Sequence, residues 1–187
     1  MSLSIQQLVD EIHATPARIV LAVAGGGSGA IAALLEVSGA SRTVLEVVVP
    51  YCQPAMIQWL AEPPDRSCSL ETARAMAAAA FRRACRFGDL ATPLAGVAAT
   101  ASLATDRPKR GSHRVHLAMR TDQVAATWSL QLHREARSRA EEERLVTRLV
   151  LNVVAEACGV ARRLELDLLP GERVDQSRDS TANGPQR

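Results

Sequence analysis

The sequence predicts an α/β domain, a three-layer α/β/α sandwich around a mixed, mostly parallel sheet, and three observations carry that expectation. Two short β-branched runs, Arg18–Ala24 and Thr43–Val49, are separated by a helical stretch, which is the order of a parallel βαβ unit. The first run ends in Gly25-Gly26-Gly27-Ser28, a turn without side-chain bulk that opens the alanine- and leucine-rich helix Ser28–Val37. The chain of 187 residues, 47% of them hydrophobic, has enough apolar material for one sizeable core.

The elements follow in order. Ile5, Leu8, Val9 and Ile12 share one face of a helix over Ser4–His13, which Thr15-Pro16 ends because proline lacks the N–H donor. The strand Arg18–Ala24 is apolar throughout, as a strand covered on both faces must be. Ser38–Ser41 reads as a turn, Thr43–Val49 as the second strand, and Pro54–Leu60 as a short helix. Glu62–Ser67 is a loop that leads to Ser69, an N-cap for the alanine-rich helix Leu70–Phe87. Leu94–Thr100 is a third buried strand. His113–Thr121 and Val124–His133 are an antiparallel pair joined at Asp122-Gln123, a turn without glycine. Ser138–Cys158 is a long helix that starts with Glu141, Glu142 and Glu143, the charge sign favoured at a helix start. A small edge element is expected at Leu164–Leu169. Residues 1–169 thus form one domain, and 170–187 a flexible polar tail.

Composition excludes several functions. A net charge of +2 and 3% aromatic residues argue against nucleic acid as a partner. No apolar run reaches the roughly 18–20 residues of a membrane span, so a cytoplasmic location without membrane contact is expected. The four cysteines lack metal or disulfide spacing and read as reduced, mostly buried thiols. His113 and His116 point to opposite faces of a strand, so no metal site and no cofactor is expected.

The chemistry concentrates at strand ends. Gly25, Gly26, Gly27 and Ser28 set main-chain N–H groups at a helix start, where an anion such as phosphate is favoured. A second loop after Thr100 and Ser102 carries Arg107, Lys109 and Arg110, cations suited to the same anion. Gly26-Gly27-Ser28-Gly29-Ala30 has part of the pattern of a nucleophile elbow, which makes Ser28 a candidate nucleophile. Cys52 is a second candidate, against the alternative of a buried, inert thiol. The expected ligand is a small phosphorylated, nucleotide-like molecule.

Over residues 5–158 the order of motifs resembles the CinA C-terminal domain family, the nicotinamide-nucleotide amidases. Ala22–Ser28 (A-V-A-G-G-G-S) is similar to that family's A-E-S-C-T-G-G, and Val37–Ser41 (V-S-G-A-S) to its V-P-G-S-S. Pro50–Met56 (P-Y-C-Q-P-A-M) matches A-Y-S-N-E-A-K, and Ala99–Thr105 (A-T-A-S-L-A-T) matches I-T-G-I-A-G-P. The resemblance implies the three-layer fold, a homo-oligomer, an amidase site, and roles for Tyr51 and Thr100. The family's serine nucleophile falls on Ala24 and its lysine on Met56, so the resemblance implies lost or altered hydrolysis. Two alternatives stand beside ligand binding: amide hydrolysis by Ser28 with Tyr51, and a non-catalytic assembly domain. An exposed edge for self-association is expected along the hairpin Arg114–Leu132.

Overall fold

The computed structural model describes residues 3–106 and 111–181. Its centre is β1 (Arg18–Ala24), which pairs in parallel with β2 (Val44–Val48) on one side and β3 (Leu94–Ser102) on the other. β4 (His113–Arg120), β5 (Val124–Leu132) and β6 (Val174–Ser180) continue the sheet by antiparallel pairing. The six strands run β2-β1-β3-β4-β5-β6, a mixed sheet with two parallel and three antiparallel ladders.

Alternation along β1 divides the core. Ile19, Leu21 and Val23 point to a face covered by α1 (Ile5–His13), α2 (Gly29–Glu36) and α6 (Arg139–Ala157). Val20, Ala22 and Ala24 point to the other, covered by α4 (Gln53–Leu60) and α5 (Leu70–Phe87). The result is the expected three layers. A one-turn helix, α3 (Ala40–Thr43), replaces the turn expected before β2. His13 ties α1 to it and to α2, with Nδ1 2.9 Å from Thr43 Oγ1 and Nε2 2.9 Å from the Leu34 carbonyl.

Helix starts follow the sequence signals. Ser4 with Gln7 and Ser138 with Glu141 form reciprocal capping boxes, and the Ser69 hydroxyl accepts from the Thr72 N–H. The β4–β5 turn manages without glycine because the Thr121 hydroxyl accepts from the N–H groups of Gln123 (3.2 Å) and Val124 (3.0 Å).

Two expectations fail after α6. Leu164–Leu169 is no strand. Asn152 instead clamps Leu164 by accepting from its N–H (2.7 Å) and donating to its carbonyl (2.9 Å). The tail expected to be flexible from 170 instead supplies β6. β6 is exposed along almost its whole length, so it carries no apolar alternation and is joined to β5 through its main chain. With β6 in place, the hairpin Arg114–Leu132 is internal to the sheet and offers no edge, which corrects the expected self-association surface. Among the described residues no helix is long and apolar enough to cross a membrane, and no group of three or more His, Cys, Asp or Glu could hold a metal ion.

Candidate ligand-binding site

The parallel strands β1, β2 and β3 end at one edge of the sheet, where loops leave for α2, α4 and β4. Gly25 and Gly27 adopt φ of 79° and 88°, which allows the chain to reverse between β1 and α2. Packing also demands their smallness. A Cβ on Gly25 would lie 2.0 Å from the Ala101 carbonyl oxygen, and one on Gly27 would lie 2.8 Å from Val150 Cγ2. Gly26 has no left-handed φ, and a Cβ there would meet Leu103 Cδ1 at 2.6 Å. The loop is therefore wedged between the end of β3 and α6.

Ser28 is the N-cap of α2 in ordinary helical geometry, with φ −62° and ψ −27°, so it lacks the strained backbone of a nucleophile elbow. Its N–H (2.7 Å) and its hydroxyl (2.8 Å) both donate to Glu143 Oε1. The helix start expected to stand open to an anion already holds one from the protein. The other Glu143 oxygen, Oε2, is buried without a hydrogen-bond partner.

The first turn of α6 holds the loops around this point. Arg139 donates to the carbonyls of Gly25 (2.9 Å) and Ala104 (3.3 Å). Glu142 is wholly buried, accepts from the Ala104 N–H at 2.6 Å, and pairs with His113 Nδ1 at 2.6 Å. Glu141, Glu142 and Glu143 are expected from the sequence to act together as a favourable charge for the helix start. Glu141 and Glu142 lie in the first turn, and Glu141 alone also closes a capping box with Ser138. No sequence pattern links Arg139 and Glu143 to the Gly loop, 114 and 115 residues earlier, or Glu142 to Ala104 and His113.

Two cavities open at this edge. One of about 390 Å³ is lined by Gly26, Ser28, Val49, Arg139 and Glu143. The other, about 120 Å³, is lined by Ala24, Cys52, Met56, Cys68 and Thr100. Gly25 and Tyr51 line both. Tyr51 is 72% exposed at the shared mouth. The Thr100 hydroxyl is spent on the Ser67 carbonyl at 2.6 Å, which fixes the loop before α5. Cys52 is exposed rather than buried as expected, because it caps α4 from outside the core. Gly27 packs on α6, and neither it nor Ser102, at the end of β3, lines these two cavities. Arg107, Lys109 and Arg110 lie outside the described residues. His116 sits elsewhere, on β4, with Nδ1 2.8 Å from Ser129 Oγ; burial, reinforced by Arg114 and opposed by Glu71, lowers its pKa.

The architecture now has known counterparts. A competence/damage-inducible protein from Agrobacterium tumefaciens matches with a TM-score of 0.58 and 20% identity, over 84% of this chain and 99% of that one. A CinA superfamily protein from Escherichia coli matches at 0.61 and 17%, over 82% and 90% of the two chains. The chain has the CinA superfamily fold. A further CinA superfamily protein, from Klebsiella pneumoniae, matches at 0.62 and 15% identity, over 84% and 99%. No protein-family model and no curated protein matches the sequence. The CinA-type fold brings Ala24, Tyr51, Met56 and Thr100, the four positions marked by the sequence resemblance, to the walls of one cavity.

Proposed function

We propose that this domain binds a small phosphorylated, nucleotide-like molecule across the two neighbouring cavities, and that it has lost serine–lysine amide hydrolysis. One observation carries the reading: the cavity that holds the four resemblance-marked positions shares Gly25 and Tyr51 with the cavity at Ser28 and Arg139. A ligand spanning both would place a phosphate near the Gly loop and Arg139, and its remaining part against Tyr51, Met56 and Thr100. Hydrolysis of the family type needs a nucleophile and a base. In the sequence resemblance those places fall on Ala24 and Met56, whose methyl group and thioether can neither attack nor accept a proton.

Calorimetry and ammonia release with nicotinamide mononucleotide, other nucleotides and phosphosugars test both halves. Binding without ammonia release is expected. Tyr51→Ala should weaken binding by roughly tenfold without lowering stability, since an exposed ring contributes to a ligand rather than to the core. Failure of every phosphorylated compound to bind would overturn the reading.

A second reading is favoured by the Ser28–Glu143 hydrogen bond, in which a carboxylate sits where it could accept the proton of an attacking hydroxyl. Robust ammonia release that disappears in Ser28→Ala would establish it instead.

A further inference from the structure

Glu143 combines two features that the fold alone does not require. Its Oε1 takes the N–H and hydroxyl of Ser28, while its Oε2 is buried and accepts nothing. Arg139, one turn earlier on α6, lines the same 390 Å³ cavity but donates to the carbonyls of Gly25 and Ala104 and not to this carboxylate. A carboxylate is a monoanion seated where the helix dipole and an N–H without a partner inside the helix favour negative charge. A phosphate monoester carries more charge near neutral pH and three acceptor oxygens, so it suits the same donors better. The single N–H and single hydroxyl of Ser28 serve one anion at a time.

We propose that Glu143 is a resident anion, displaced from the start of α2 when a ligand's phosphate binds, and that this competition sets the affinity threshold of the site. The inference rests on the phosphate-binding reading and specifies how that site is regulated. Binding would release Ser28 from Glu143 and leave the carboxylate to turn toward Arg139, the cation on its own helix.

The test is calorimetry on the full chain with two probes, inorganic phosphate and nicotinamide mononucleotide. Glu143→Gln keeps the side-chain shape and an acceptor for Ser28 but removes the competing charge, and should tighten binding of both probes on the order of tenfold. Glu143→Ala removes the competing carboxylate and leaves both Ser28 donors in place. It should also tighten binding, and it serves as the second variant if Glu143→Gln melts early. Tighter binding by the variants than by a wild type that itself binds supports the inference. A wild type that binds while both variants bind equally or more weakly overturns it and leaves the ligand reading intact. No binding by wild type or variants overturns both.

Discussion

At the scale of single residues, environment separates groups of one chemical type. Burial pushes the Cys158 thiol up to about 12, against a small opposing effect of Thr15, and Cys85 is also raised by burial and by Asp122. Cys52 is exposed at the mouth of the smaller cavity. Thiol titration with an aromatic disulfide should therefore label Cys52 first and Cys158 only on unfolding. A fast phase that survives Cys52→Ser would contradict this. Glu172 shows the opposite balance. Burial disfavours its charge, but Arg137 in a two-pronged ion pair and the N–H groups of His133 and Leu169 outweigh that and hold the carboxyl at about 2. Because its pKa falls on folding, from 4.5 to about 2, the stabilisation is complete above the unfolded value and is lost as pH falls between the two. Acid unfolding of wild type and Glu172→Gln should converge over that window, with a gap on the order of 3 kcal/mol at neutral pH. A constant gap from pH 7 to pH 2 would show that Glu172 acts by shape alone.

At the scale of elements, composition decided what could be read in advance. β1 at Arg18–Ala24 and α5 at Leu70–Phe87 have the bounds that their sequences suggest, because one is a short apolar run closed by glycine and the other an alanine-rich helix with Ser69 at its start. The alanines have a second use. Ala73, Ala77, Ala80 and Ala84 let α5 lie close on the sheet, so close that a Cβ on Gly96 would stand 2.2 Å from the Phe81 main-chain nitrogen and 2.3 Å from the Ala77 carbonyl. Gly96→Ala should thus cost about 3 kcal/mol by forcing helix and sheet apart, read as a lower denaturant midpoint at unchanged slope. Unaltered stability would mean that α5 shifts freely. β6 was illegible for the converse reason, since D-Q-S-R-D-S has neither alternation nor β-branched residues, and its place is set by main-chain pairing with β5. The site divides likewise. Its Gly loop follows from local turn chemistry, whereas the Glu143 contact depends on packing between elements far apart in the chain.

At the scale of the whole molecule, the sheet ends in β2 on one side and in β6 on the other. β6 covers β5, whose Leu130 and Trp128 are buried in the core. Deleting residues 174–187 should lower the melting temperature and turn the bare β5 edge into a pairing surface, seen as concentration-dependent association in sedimentation. A truncated chain that is equally stable and associates no more than the full chain would make β6 an ornament of the sheet. The first turn of α6 has a consequence in time. Glu143 lies 115 residues beyond Ser28 and Arg139 lies 114 beyond Gly25, so on a ribosome that adds about 5–20 residues each second the Gly loop emerges roughly 6–23 s before its clamp exists. During that interval Ser28 has no Glu143 to meet, so the contact between the Gly loop and α6 can close only after α6 has been made.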